Sequence, residues 1–264
     1  MIKIRNLWKK YGKLQVLAGL DLDVQNGETL VILGRSGMGK SVLLKHIIGI
    51  SKPDEGTIEV NDVPISDLSG ADLYKAIIDM GMLFQGAALF DSMTVEENTA
   101  FFLQEHGNLK EGRKYTESEI QDLVAHALDM VGLEGTQKKM PSELSGGMRK
   151  RAGLARLIVY RPSLLLYDEP TTGLDPITSM QINELIVKTQ KELKGTSIVV
   201  THDILSALCV GDRLALIKDG KIAHIAPPDS FLKIDDPVIE FLRKMISEDP
   251  RKFKETCFNK GLNV

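Results

Sequence analysis

The chain has 264 residues, 43% of them hydrophobic, and a formal net charge of −3. That length can bury one large core or two small ones, and the charge balance gives no general attraction to nucleic acid. No apolar run approaches the ~20 residues needed to cross a bilayer, and the opening MIKIRNLWKKYG lacks a signal-peptide pattern, so a soluble cytoplasmic protein is expected. The two cysteines, Cys209 and Cys257, lie far apart without metal-ligand spacing and read as reduced thiols.

In chain order, IKIRNL and the partly alternating LQVLAGLDLDV read as strands, and ETLVILG is apolar enough for a strand buried on both faces. A glycine-rich turn follows, then KSVLLKHIIGI with helical spacing, then GTIEV as a strand. Gln85, in GMLFQGAALF, occupies a strand-end position. From about Thr94 to Tyr160 the pattern is helical, with candidate capping boxes at Thr94/Glu97 and Thr116/Glu119, and reads as a helical insertion in an α/β core. The core resumes with LLLYDEP, a helix from about Ile177 to Leu193, TSIVVTH, and a hairpin turning at Asp219-Gly220. In the last stretch, DPVIEFLRKMISEDP, a helix would align Val238, Phe241, Leu242, Met245 and Ile246 on one face, packing on its own domain or meeting a partner.

GRSGMGKS, residues 34–41, fits G-x-x-x-x-G-K-[ST] between a buried strand and a helix. Glycine lets the backbone wrap phosphates closely, Lys40 can reach β and γ oxygens, and the Ser41 hydroxyl can bind Mg²⁺. Gly34, Arg35, Ser36, Gly37, Met38, Gly39, Lys40 and Ser41 are therefore the candidate ATP cradle. LLLYDEP delivers Asp168 and Glu169 to a strand's C-terminal end, where ligands sit in open α/β sheets. Asp168 can hold Mg²⁺ through water, and Glu169 can polarise an attacking water. His202 ends another apolar strand on the same side. ELSGGMRKR, residues 143–151, places a hydroxyl and two glycines at a helix start, a second cradle for anionic oxygens with no lysine of the P-loop kind.

GRSGMGKS, Gln85, LSGGM, LLLYDEP, TTGLD and TH stand in the order and approximate spacing of ATP-binding cassette (ABC) ATPases, which the chain resembles up to about residue 235. The resemblance implies a P-loop NTPase of ABC fold over 1–235: a RecA-like core, an N-terminal antiparallel β subdomain and the inserted helical subdomain at about 94–160. Residues 236–264 would form a C-terminal helical extension. It further implies that Glu169 is the general base, His202 the γ-phosphate contact, and Gln85 the link between Mg²⁺, water and a membrane partner. Ser41, Gln85 and Asp168 would hold Mg²⁺, and Asp175 would be the acidic residue of the loop between protomers. Tyr11 has two readings, the aromatic that stacks on adenine or a simple hairpin aromatic. Two cassettes of this family pack head to tail, so Ser145, Gly146 and Gly147 would touch ATP held by the partner's P-loop, and closure on ATP would drive transmembrane subunits.

Where the general pattern reads LSGGQ, this chain has Met148. LSGGM with its basic run, LFQGAALFDSMTVEEN and DEPTTGLDPITS together look like the cassettes of Mla- and Mce-type lipid transporters. That resemblance implies ATP hydrolysis powering phospholipid movement between inner membrane and outer envelope, from the cytoplasmic face of a bacterial inner membrane. The partners implied are a second cassette, a multi-span permease and an Mce-domain lipid-binding protein, with a small regulatory subunit as a further candidate and no nucleic acid. Ala87, Ala88, Leu89, Phe90 and Met93 could receive a short permease helix or pin the helical block to the core. The alternatives are an ABC ATPase serving another importer or exporter, and a soluble non-transport ABC scaffold. The long coiled coils, zinc cysteines or second cassette of the scaffold types are not found in the sequence.

Overall fold

The structure is a computed structural model that describes residues 2–109 and 111–246. Cys257 and the extension beyond residue 246 lie outside the described residues. The chain opens with β1 (Ile2–Tyr11) and β2 (Leu14–Val24), antiparallel around a turn in which Gly12 has φ 58°. The inward period of β1 slips from Ile2 and Ile4 to Leu7, because the register shifts between Ile4 and Leu7. At that bulge Asn6 has φ 47°, and Gly56 lies so close to the Asn6 carbonyl that no side chain would fit.

β3 (Thr29–Leu33) and α1 (Lys40–Ile47) come next, followed by β4 (Glu55–Val60), the short β5 (Val63–Pro64), α2 (Gly70–Ile77) and β6 (Met80–Leu83). Three longer helices then stand between β6 and the next strand: α3 (Val95–His106), α4 (Glu117–Met130) and α5 (Gly146–Ile158). Both predicted capping boxes form, at Thr94/Glu97 and Thr116/Glu119, so the N–H groups at these helix starts are satisfied from within the sequence. The core resumes with β7 (Leu164–Asp168), α6 (Pro176–Leu193), β8 (Thr196–Thr201), α7 (Ile204–Val210), β9 (Arg213–Lys218) and β10 (Lys221–Ala226). Asp219 and Gly220 turn this last hairpin with φ of 50° and 74°, as a two-residue turn of the primed type requires.

The strands build two sheets, β2-β1-β4-β5 and β10-β9-β3-β8-β7-β6. In the second, β9, β3, β8, β7 and β6 run parallel and β10 is antiparallel. This is a mixed α/β fold with an antiparallel sheet and a second, mostly parallel one, as the sequence leads one to expect. Every residue of β3, β7 and β8 is buried, because the sheet separates two cores. Val31, Leu33, Leu165, Tyr167 and Val199 face the cluster that includes residues of α5, α6 and α7. Leu30, Ile32, Leu164, Leu166 and Ile198 face the cluster shared with α1 and the antiparallel sheet. Burial on both faces is why these strands read as continuous apolar runs rather than alternating ones.

The chain's end differs from its periodicity. α8 (Pro228–Phe231) leads to α9 (Pro237–Met245), whose fully buried residue is Ile239, with Val238, Leu242 and Ile246 partly buried against the core. Phe241 and Met245 are 63% and 61% exposed. The rotation is set at the N-cap: the buried Asp236 accepts from the Val238 N–H at 2.8 Å and holds Lys218 at 3.4 Å and His224 at 3.3 Å on the β9–β10 hairpin. Anchored there, the helix turns Ile239 inward and Phe241 outward.

Candidate active site

The P-loop occupies residues 34–39 between the end of β3 and the start of α1. Gly37 and Gly39 have φ of 83° and 89°, and a Cβ at Gly39 would stand 2.9 Å from Val16 Cγ1. The turn therefore needs glycine for backbone conformation and for its approach to β2. Lys40 folds back along the loop: its Nζ donates to the Gly34 carbonyl at 2.7 Å and the Arg35 carbonyl at 3.1 Å. The same ammonium pairs with Glu169 Oε1 at 3.2 Å, both side chains being buried. Ser41 Oγ donates to Asp168 Oδ1 at 2.6 Å, so the P-loop hydroxyl and the carboxylate ending β7 meet directly.

Glu169 leaves the strand with φ 48°. A non-glycine residue in that region is strained by about 1–3 kcal/mol and persists where its surroundings over-determine it. Here the Glu169 N–H donates to the Val200 carbonyl at 2.9 Å, and Oε2 accepts from Thr172 Oγ1 at 3.0 Å and His202 Nδ1 at 2.8 Å. Burial pushes the Glu169 carboxyl up, but Lys40 and His202 outweigh it and hold it below the usual range. The group is thus an ionised acceptor beside the P-loop, the form a general base requires.

A cavity of about 300 Å³ gathers these parts, lined by Ser36, Gly37, Gly39, Lys40, Ser41, Gln85, Glu169 and His202. Val16, Val42 and Thr172 also line it, none of them a candidate on sequence alone; Thr172 stands in TTGLD, three residues after Glu169. Gly34 and Arg35 contribute carbonyls to Lys40 rather than surface to the cavity, and Met38 packs against the core cluster beneath the loop. Tyr11 is not among the lining residues: it sits half-exposed at the β1–β2 turn, with Lys9 Nζ 5.6 Å from its ring centre. The Ser41 hydroxyl, the Asp168 carboxylate and the Gln85 amide form a hard-oxygen set suited to Mg²⁺, which takes few protein ligands beside phosphate oxygens and water.

The second cradle stands apart. Ser145 caps α5 by accepting from the Met148 N–H at 3.2 Å, which leaves its hydroxyl proton free to point outward. Ser145 and Gly146 are exposed, and neither they nor Gly147 line the P-loop cavity of their own chain. The glycines have different reasons to be glycine. A Cβ at Gly147 would fall 2.5 Å from Thr178 Cγ2 on α6, whereas a Cβ at Gly146 would meet only Leu174 at an ordinary 3.6 Å. Gly147→Ala should accordingly destabilise the protein by about 1–3 kcal/mol, read as a lower midpoint in urea unfolding, while Gly146→Ala should change the unfolding free energy by no more than about 0.5 kcal/mol. Asp175 caps α6, accepting from the Thr178 N–H at 3.0 Å and its hydroxyl at 2.6 Å, bonds that keep its carboxyl below the usual range.

After Gln85, Ala87 is fully buried and Leu89 packs against the core, whereas Phe90 is 41% exposed and rests on Phe101 at a ring-centre distance of 4.8 Å. The apolar run thus pins the helical block with some residues and leaves others on the surface.

The parallel sheet, the P-loop and the strand-end acidic pair define a nucleoside-triphosphate-hydrolysing cassette. Residues 17–172 match the family model for the ABC transporter, more than half of the chain. The chain belongs to the ABC transporter family and is one of its ATP-binding, ATP-hydrolysing cassettes. It is 40% identical over 238 residues to "Probable ribonucleotide transport ATP-binding protein mkl" of Mycobacterium leprae, covering 90% of this chain and 67% of that protein. It is also 40% identical over 255 residues to the intermembrane phospholipid transport system ATP-binding protein MlaF of Haemophilus influenzae, covering 96% of this chain and 94% of that one. The chain spans about two thirds of the length of the mycobacterial relatives it matches. Among solved structures it resembles the cassette MJ0796, a dimer in a post-hydrolysis state bound to ADP and phosphate, with TM-score 0.78, 32% identity and coverage of 86% of this chain and 99% of that one. Among the described residues no helix is long and apolar enough to cross a membrane.

Proposed function

We propose that this cassette works as a head-to-tail dimer whose ATP hydrolysis powers phospholipid movement through a multi-span permease and an Mce-domain lipid-binding protein. It would sit peripherally on the cytoplasmic face of an inner membrane, with a small regulatory subunit as a further candidate partner. The observation that carries the lipid reading is the end-to-end match to the phospholipid-transport relative, 96% of one chain on 94% of the other. The ribonucleotide-transport relative is equally identical, but the match covers only 67% of it. LSGGM, LFQGAALF and DEPTTGLDPITS support the same branch.

Within this reading Lys40 leaves Glu169 to grip the β- and γ-phosphates, and the P-loop N–H groups cradle them. Ser41, Asp168 and Gln85 hold Mg²⁺, which when bound neutralises charge on the phosphate oxygens. Glu169 takes a proton from the attacking water as the bond between the γ-phosphorus and the β-bridging oxygen breaks, and His202 orients the γ-phosphate. The second cradle acts in trans: Ser145 donates its proton, and Gly146 and Gly147 their N–H groups, to ATP held by the partner's P-loop. Exposure of Ser145 and Gly146 away from their own pocket favours this over a second nucleotide in one chain. Asp175 belongs to the loop between protomers, and Tyr11 approaches adenine from the β1–β2 turn.

The test of the substrate class is purification of the tagged protein in detergent from its native host, with mass spectrometry of the bound subunits and lipids. A permease, an Mce-domain protein and phospholipid are expected. A permease without an Mce-domain protein, retaining a polar solute, would overturn the lipid reading and leave the ATPase intact.

A further inference from the structure

α5 carries three basic residues in succession, Arg149, Lys150 and Arg151, of which Lys150 is buried and Arg149 exposed. A buried ammonium is tolerated only with acceptors close by. Lys150 Nζ donates to the carbonyl of Gln85 and, at 3.4 Å, to the carbonyl of Glu169. Its acceptors are thus the main chain of two residues that line the nucleotide cavity, on two different strands' ends.

Two further contacts fasten the same face of the helix to the Gln85 segment. Gly153, three residues along, comes so near that a Cβ would lie 2.9 Å from Leu83 Cδ1 and 3.1 Å from Ala87 Cβ. Arg156, three residues further, donates to the carbonyls of Ala88 at 2.7 Å and Ala87 at 3.1 Å. Those two alanines are consecutive left-handed residues, with φ of 62° and 49°, a conformation that needs such outside support. The helix beginning at Ser145 and the segment carrying Gln85 are therefore one packed unit. Of the two cations that fasten it, Lys150 alone reaches on to Glu169.

We propose that Lys150 is a positioning residue: it ties the helix that starts at the second cradle to the main chain of Gln85 and Glu169, and so fixes the base's turn relative to the attacking water. It does not touch substrate. Movement of the α5 N-terminus on closure would reach the base through this side chain. The idea rests on Glu169 as the base, which is tested separately by Glu169→Gln.

The experiment measures ATP affinity, steady-state ATPase and thermal unfolding on the full chain for Lys150→Met and Lys150→Arg. For Lys150→Met we expect ATP affinity within about twofold of the parent and kcat at least about tenfold lower, a loss of transition-state positioning rather than of binding. Lys150→Arg keeps donors for the two carbonyls and should recover most of kcat. Folded Lys150→Met with kcat within twofold of the parent overturns the proposal, as does a loss of affinity with kcat unchanged, or an equal loss of kcat in Lys150→Arg. Should Lys150→Met not fold, Lys150→Gln against Lys150→Arg gives the same contrast. If Glu169→Gln stalls turnover and Lys150→Met does not, only this inference fails. If Glu169→Gln leaves turnover intact, the reading of the site fails with it.

Discussion

Glu169→Gln should bind ATP within a few-fold of the parent and hydrolyse it about 10²–10⁴ times more slowly, the usual share of a general base. The amide is close to isosteric with the carboxylate, and its oxygen can still accept from Thr172 and His202, which hold Glu169 Oε2 at 3.0 and 2.8 Å. What the substitution removes is the negative charge that Lys40 and His202 keep on this side chain. With ATP bound and not consumed, the cassette should accumulate as a dimer. Single-turnover hydrolysis and molecular mass in ATP check both halves. Turnover at the parent's rate would remove Glu169 as the base.

Lys40→Ala should lose both function and stability. Charge-assisted hydrogen bonds to phosphate contribute about 1.5–3 kcal/mol, so ATP affinity should fall about tenfold to 150-fold in equilibrium binding. Truncation also strips one partner from a buried ion pair, with side-chain exposures of 5% and 10%. Removing one partner of such a pair typically costs about 3–5 kcal/mol, and the lower end is expected because His202 and Thr172 still hold the carboxylate. The pH dependence follows from the sign of the shift. Glu169 is held below its usual range in the fold, so its stabilisation is fully present above the unfolded value of about 4.3 and disappears as pH falls through the folded value. The stability gap between parent and Lys40→Ala, from urea unfolding without nucleotide, should therefore be constant near neutrality and close in acid. A gap that widens in acid would contradict the assigned pairing.

The phosphate cradle was legible because its spacing is dictated by the size of a phosphate and by where a glycine turn can start a helix. GRSGMGKS forms that turn, and Asp168, at the end of β7, meets Ser41. The strands β3, β7 and β8 were legible because burial on both faces leaves an uninterrupted apolar run. Other features hide from periodicity. α7 is buried at six of its seven positions and so shows no polar stripe, although Asp203 caps it. In α9 the apolar residues outnumber the positions that one face can bury, and Asp236 chooses among them through contacts on a distant hairpin. The basic run after LSGGM gives no sign, in residue order, of which of its side chains is buried. Successive helical residues point about 100° apart, so only the structure reveals that Lys150 is the one turned inward. The left-handed φ of Glu169, and its hold on Lys40, leave no trace in residue order.

On the proposed reading the nucleotide site is shared between two chains, with Ser145 of one facing the P-loop of the other. Mixing Ser145→Arg protomers with Lys40→Ala protomers tests it most directly, because each parent dimer is defective at both sites. In the mixed dimer the trans arrangement joins the intact P-loop of one chain to the intact Ser145–Gly147 turn of its partner. Dimers confirmed as mixed by mass should then hydrolyse ATP well above either parent, from one restored site in two. Activity no higher than the parents' in those same dimers would contradict the account.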